Sequence, residues 1–156
     1  MNLTRPIPLA LSNSSPLIAL ARIGRADLLT RVCDRVIVPQ AVADELGNLP
    51  DGILIEPLHR PQDLTLFPTQ LHAGECAVIL LALQQSAKAT LLLDDWYARA
   101  FAQRQGLRIV GTIGLIIIAK RRGIIDRAVP LFDDLRRAGF HMTEPLLEEA
   151  RSLVNE

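Results

Sequence analysis

Two acidic residues follow directly on an apolar run near the middle of the chain. Three leucines at positions 91–93 lead into Asp94 and Asp95. Such a run is typical of a short strand that is buried on both faces, and ligands of an open parallel sheet bind in the crevice outside the carboxyl ends of its strands. Carboxylates at that position are placed for chemistry rather than for solubility, so this pair is the first candidate site.

Three further polar residues are predicted to project toward the same edge of the sheet. Asn13 ends the first predicted strand, Glu45 lies on the helix after the second, and Glu75 begins a helix whose apolar residues face nearly every direction. Polar groups beside long apolar runs are costly to desolvate unless they are paired or bound to a cation. Hard ions such as Mg²⁺ take oxygen ligands from carboxylates, water and phosphate. The set therefore predicts a shared cation site.

Each acid also has a purely structural explanation. Asp is a favoured helix N-cap, a carboxylate in a first helical turn complements the helix dipole, and Glu45 fits a solvated helix acid. We interpret Asp95 mainly as the cap of the helix that carries Arg99, although it remains a candidate ligand. Asp94, Glu45 and Glu75 are expected to be the ligands that act in catalysis.

Candidates for phosphate binding lie close to these acids in the sequence. Ser15 and Thr112 each carry a hydroxyl that can contact a phosphate or cap a helix. From position 96 to 127 seven Arg and Lys residues are set against Asp126 alone, and Arg99 is the first of them. Arginine is the better bidentate partner for phosphate. The basic run 120–122 before Gly123 is also typical of an ordinary helix C-terminus.

The elements that must position these residues alternate between strand and helix. Strands are predicted over 7–11, 35–39, 53–55, 90–94 and 108–110, and 58–69 is predicted to be mostly loop. Helices are predicted to begin at Pro16 with a serine cap and to cover 26–32, 40–46, 75–85, 95–105, 112–122, 126–138 and 144–154. This alternation implies an α/β fold, a three-layer α/β/α sandwich with a central parallel sheet of four to five strands.

Composition sets the broad class of the protein. The 156 residues are 49% apolar and 22% charged, which predicts a single globular domain over 1–156. Aromatic residues make up 4% of the chain, which argues against an RNA-binding surface built on interleaved aromatic rings. A formal net charge of zero does not by itself indicate a nucleic acid or a membrane as partner.

Cysteine context and hydropathy predict a soluble cytoplasmic protein. Cys33 and Cys76 are far apart and lie in apolar contexts, so we expect both to be buried and reduced. No signal-peptide core is expected in the first residues, and the most apolar runs are far shorter than the roughly 20 residues that span a bilayer.

The motifs of three common α/β classes are absent from this sequence. The chain contains no G-x-x-x-x-G-K-[ST] loop, and no G-x-G-x-x-G turn follows its first strand. A receiver domain needs an acidic pair after the first strand, where this chain has Asn13.

Taken together, these motifs resemble the PIN domain family, and in particular a bacterial and archaeal branch of it without assigned function. The segments that carry the resemblance are 11–18, 38–46, 74–75, 92–95 with Ala98, Arg99 and Ala102, and then 106–107, 111–115 and 119–123. They cover nearly the whole chain. Their order is fairly specific, although each motif alone is weak.

The resemblance implies an α/β/α sandwich with about four acids that bind Mg²⁺ or Mn²⁺ and cut RNA. Many relatives are the toxin halves of toxin–antitoxin pairs, similar to the VapC type. The resemblance therefore also implies an antitoxin protein as a partner. Glu45, Glu75 and Asp94 match three acids of the family's cluster, and Asp95 is a neighbouring acid. A homodimer is a further expectation, although we expect the apolar face of the last helices to cover the core.

Asn13 departs from the family pattern, because the family usually has its first Asp at this position. An amide oxygen can coordinate a cation but adds no negative charge, so the sequence leaves two functions open. One is a ribonuclease weakened at this position, and the other is a PIN-like module that binds RNA or a partner protein without cleavage.

Overall fold

The computed structural model describes residues 4–85 and 88–156, and the expected domain over 1–156 includes residues 1–3 and 86–87, which lie outside the described residues. Five strands form one sheet in which every neighbouring pair is parallel. The strands are β1 (Ile7–Ser12), β2 (Cys33–Pro39), β3 (Ile53–Glu56), β4 (Thr90–Leu92) and β5 (Arg108–Val110). The helices are α1 (Ser14–Arg22), α2 (Asp27–Val32), α3 (Gln40–Leu46), α4 (Ala73–Gln84), α5 (Trp96–Arg104), α6 (Thr112–Arg121), α7 (Val129–Arg137) and α8 (Glu144–Val154).

Two apolar clusters, one on each face of the sheet, make the fold a three-layer sandwich. Side chains alternate along a strand, so Leu92 packs into the cluster with α1, α2, α6, α7 and α8. Leu91 and Leu93 point the other way, into the cluster with α4 and α5. Burial on both faces of the sheet explains why residues 91–93 are an unbroken run of leucines. The predicted α/β/α sandwich is confirmed.

The order of the strands creates a crevice at the carboxyl edge of the sheet. The order is β3-β2-β1-β4-β5, so the chain leaves β1 in one direction and resumes at β4 on its other side. Ser12 pairs with Leu92 in this register, and the Asn13 N–H extends the ladder by donating to the Leu92 carbonyl at 3.2 Å. The point between β1 and β4 is therefore the topological switch point, where open α/β sheets bind ligands.

Most predicted elements are confirmed, with corrections to the starts of two helices, to one loop and to the end of β4, which lies at Leu92 rather than Asp94. Helix α1 begins at Ser14, with Asn13 at the N-cap position, so Pro16 lies inside the first turn. Proline is tolerated there because its missing N–H would have no helical partner. Helix α7 begins at Val129 rather than 126, next to a proline that favours a helix start. The predicted loop 58–69 contains a 3₁₀ helix, Pro61–Leu66.

Other expectations about burial can also be compared with the structure. Cys33 and Cys76 are both buried and free, as expected. The apolar faces of α7 and α8 contribute to the larger apolar cluster, so they cover the core as expected. Among the described residues, no helix combines the length and the apolar character needed to cross a membrane.

The central strand should dominate the stability of the fold. Leu11 is fully buried between the neighbours Ile37 and Leu91, so Leu11→Ala should lower the free energy of unfolding by about 3 kcal/mol. Leu66→Ala removes a side chain that is 80% exposed and should cost less than about 0.5 kcal/mol. Urea denaturation measures both, and equal losses would contradict the assignment of β1 to the centre of the sheet.

Candidate functional site

The polar residues predicted from the sequence gather at the switch point, on the carboxyl edge of the sheet. Asn13, Ser14 and Glu75 are buried there, whereas Glu45 and Asp95 are exposed. We call this group, Asn13, Glu45, Glu75 and Asp95, the acidic crevice. Asp94 lies beside it, half-buried against α6.

Two oxygen atoms of the acidic crevice meet at a glycine. A Cβ atom added to Gly74 would lie 2.9 Å from Asn13 Oδ1 and 3.3 Å from Glu45 Oε2. The Asn13 side chain makes no capping hydrogen bond to α1, although it stands at the N-cap position. Ser14 Oγ donates to Glu45 Oε2 at 2.7 Å and fixes that carboxylate. A side chain at position 74 would fill the space that these oxygens approach.

Glu75 is held at the start of α4 by a reciprocal capping box. Its Oε2 accepts the backbone N–H of His72 at 3.0 Å, while the His72 side chain caps the Glu75 backbone. Glu75 thus lies in the first turn of α4, where a carboxylate complements the helix dipole, and it caps the helix as well. Burial raises the pKa of the Glu75 carboxyl, an effect that the His72 N–H opposes. The carboxylates of Asp95 and Glu45 raise this pKa further, so the three acids share one electrostatic environment.

Asp94 is bound to the beginning of α6. Its Oδ1 accepts the Thr112 N–H at 2.7 Å, and its Oδ2 accepts the Thr112 hydroxyl at 2.6 Å. Burial raises the pKa of Asp94, whereas these two bonds and the Arg99 guanidinium oppose that rise. Gly111 permits this packing, because a Cβ there would lie 2.7 Å from Arg99 Nη1 and 3.0 Å from Asp94 Oδ1. The Thr112 hydroxyl considered for phosphate contact is thus engaged by Asp94, as is the Thr112 N–H.

Asp95 binds a different helix from Asp94. It is the N-cap of α5, and its Oδ1 accepts the Ala98 N–H at 2.9 Å, as predicted. Its charge acts on Glu75, whereas Asp94 is not among the groups that shift the Glu75 pKa.

The basic run at the end of α6 lies away from the acidic crevice. Lys120 contacts Glu156, Arg121 donates to the Leu153 carbonyl, and Arg122 donates to the Val32 carbonyl, just before β2 begins. These contacts place the run at the amino edge of the sheet. The alternative of an ordinary helix C-terminus is correct for these residues, and the expectation that they surround the acids is wrong.

Basic and aromatic residues that the sequence did not single out do lie near the acids. A groove beside the acidic crevice is lined by Ser15, Asp94, Asp95, Trp96, Arg22 and His141, and Arg99 lines a neighbouring groove that Asp94 also lines. Arg99 Nη1 donates to the Leu93 carbonyl at 2.9 Å. The position of Trp96 directly after the acidic pair was the only sequence signal for this surface.

The donor atoms of the acidic crevice suit a hard divalent cation. They are an amide oxygen and carboxylate oxygens, and they surround a space that a Cβ on Gly74 would fill. Within residues 4–85 and 88–156, no group of three or more His, Cys, Asp or Glu side chains could hold a metal ion. Mg²⁺ usually takes one or two carboxylates and keeps several waters. The residues therefore fit a sparsely coordinated, hydrated ion rather than a closed cage.

The raised pKa of Glu75 has a consequence for stability. The Glu75 carboxyl binds a proton more tightly in the folded protein than in the unfolded one, so its protonation stabilises the fold. This stabilisation is fully present below about pH 4.3, the ordinary pKa of Glu, and is lost as the pH rises through the pKa of the folded state. In EDTA, Glu75→Gln should therefore raise the free energy of unfolding at neutral pH and have little effect in acid. Glu148→Gln, an exposed change on α8, is the control. Urea denaturation at both pH values decides, and a destabilised Glu75→Gln at neutral pH would contradict the argument.

The whole chain was compared with known families, curated proteins and solved structures. A family model, DUF3368, described as a PIN domain, matches residues 9–156. No curated protein and no solved structure matches the chain. PIN domains have a nuclease-like fold and generally depend on divalent metal. The match covers all five strands except the first two residues of β1, as well as every residue of the acidic crevice. This chain therefore belongs to the PIN domain family.

Proposed function

We propose that the protein is a metal-dependent endoribonuclease whose acidic crevice binds Mg²⁺ or Mn²⁺. The observation that carries the proposal is the convergence of Asn13 Oδ1 and Glu45 Oε2 on Gly74. Glu75 and Asp95 add charge close by, as the raised pKa of Glu75 indicates. Carboxylates that lie close together repel one another, and a cation that neutralises them relieves this repulsion.

Each residue has a distinct role in this proposal. Asn13, Glu45 and Asp95 would bind the ion directly, and Glu75 would hold one of its water ligands. A bound divalent ion screens the charge of the phosphodiester and lowers the pKa of the attacking water. Ser15 lies in the first turn of α1, where a helix N-terminus favours phosphate. Arg99 is in position to bind a flanking phosphate on the other side of Asp94.

Asp94 and Thr112 act as positioning residues in this assignment. Both carboxylate oxygens of Asp94 already accept hydrogen bonds from Thr112, which ties the end of β4 to the start of α6. Asp95, one residue later, is exposed and shares its field with Glu75. We therefore assign the ligand role at the end of β4 to Asp95.

A second function is favoured by a specific observation. Asn13 brings no charge, and the described residues contain no three-membered group of metal-binding side chains. A weakly bound ion would leave a PIN-like module that binds RNA or a partner protein without cutting. We further propose, from family resemblance alone, that a cleaving protein would act in the cytoplasm as the toxin of an antitoxin pair, with a homodimer as its form.

Asn13→Asp separates the two functions. The added carboxylate should strengthen ion binding and raise the rate of RNA cleavage in Mg²⁺ or Mn²⁺ by about tenfold, which requires only about 1.4 kcal/mol. Asn48→Asp introduces the same change at an exposed residue just after α3 and should have no effect. The assay follows cleavage of single-stranded RNA. No cleavage by wild type or Asn13→Asp in either metal would reject the nuclease and favour the binding module.

The assignment of Asp95 can be tested against Asp94 with two isosteric changes. Asn is nearly as good an N-cap as Asp, so Asp95→Asn should keep α5 intact while it weakens Mn²⁺ binding by about tenfold or more, because ligand charge tunes such sites. Asp94→Asn can keep both bonds to Thr112 and should leave Mn²⁺ binding nearly unchanged. Calorimetry measures both, and the reverse pattern would return the ligand role to Asp94.

A further inference from the structure

We propose that Trp96 stacks on a base of single-stranded RNA next to the acidic crevice, and that Arg22 binds a phosphate of the same strand. The surface involved, here called the flanking groove, has among its lining residues Ser15, Arg22, Asp94, Asp95, Trp96 and His141. The inference rests on the RNA-binding part of the proposed function and specifies the form of RNA that the site takes.

Trp96 exposes a large apolar ring at the first position of α5. The residue is 76% exposed, although Trp is highly buried on average. An edge-to-face contact with Tyr97, with ring centroids 5.9 Å apart, supports the indole on one side. Exposed Trp with such support is typical of binding surfaces, because the ring offers a large contact area at low entropic cost. Its neighbour in the chain is Asp95, a residue of the acidic crevice.

Arg22 supplies positive charge within the same groove. It lies in the last turn of α1 and is exposed. No carboxylate in the described part of the chain forms an ion pair with Arg22. In contrast, seven other arginines form such ion pairs, namely Arg25, Arg31, Arg60, Arg127, Arg136, Arg137 and Arg151. An unpaired guanidinium beside an exposed ring is the combination that recognises a nucleotide.

The lining of the flanking groove fits a nucleotide. Ile18, Ala19 and Leu135 give an apolar surface against which a ribose or a base can pack. Arg22 and the His141 imidazole supply the polar contacts. Asp95 lies on the same groove, so the phosphate nearest to the proposed ion and the stacked base belong to one short strand.

Stacking on Trp96 selects single-stranded RNA. Bases in a duplex are already stacked on each other, and RNA-binding proteins stack aromatic rings on bases that are free of that pairing. Aromatic residues are only 4% of this chain, so an extended stacking platform is absent. One ring beside the site is sufficient to position one base relative to the phosphate that is cut.

The chain contains a single tryptophan, so its fluorescence reports directly on the flanking groove. In EDTA, a short single-stranded RNA of mixed sequence should quench this fluorescence, whereas the same RNA annealed to its complement should not. With fluorescently labelled RNA, Trp96→Ala should weaken binding by roughly 5- to 100-fold, and Trp96→Phe should recover part of the loss. Leu66→Ala, at another exposed apolar residue, should bind as wild type does.

Arg22→Ala should weaken binding of the same RNA and reduce its salt dependence by about one phosphate contact. Arg35→Ala is the matched control, since Arg35 is exposed near the amino end of β2. Binding of Trp96→Ala that equals wild type, equal quenching by duplex RNA, or quenching only by a protein partner would overturn the inference. If Trp96-dependent binding persists without cleavage in Mg²⁺ or Mn²⁺, the nuclease is rejected and the stacking role stands.

Discussion

The parallel pairing of β1 with β4 is the interaction on which the candidate site depends. The register sets Ser12 beside Leu92, and the N–H of Asn13 continues the ladder to the Leu92 carbonyl. Burial on both faces of the sheet holds these strands in place. Because the chain departs from β1 to one side and returns at β4 on the other, residues that are distant in the sequence meet above the two strand ends. A change in this register would separate Asn13 from the acids.

The acidic crevice is held together against its own electrostatic repulsion. Glu45 is fixed by Ser14, Glu75 by the backbone of His72, and Asp95 by the backbone of α5. None of these bonds needs a cation, so the carboxylates are positioned before any ion binds. Burial raises the pKa of Glu75, and the charges of Asp95 and Glu45 raise it further. A neutral amide at position 13 reduces that repulsion and also the attraction for an ion.

The residues at 94–96, just after β4, each make a different contribution to the site. Leucines at 91–93 alternate between the two faces, and Asp94 and Asp95 then bind different helices. One acid therefore ties α6 to the sheet through Thr112, whereas the next acts electrostatically on Glu75. Trp96 follows at the start of α5 and remains exposed beside the same crevice. Three consecutive residues thus supply a bond to α6, a negative charge near Glu75 and an exposed aromatic ring.

The sequence by itself determined the α/β/α class, nearly all strands and helices, and the grouping of Asn13, Glu45 and Glu75 at one edge. Apolar runs, glycine and proline positions and the strand–helix alternation carry that information locally. Only the tertiary structure decided that Asp95 and not Asp94 shares the field of Glu75. It also decided that the basic run 120–122 lies at the far edge of the sheet, and that Arg22 and Trp96 share a groove. These facts depend on strand order and on the direction of each side chain, which arise from contacts between distant segments.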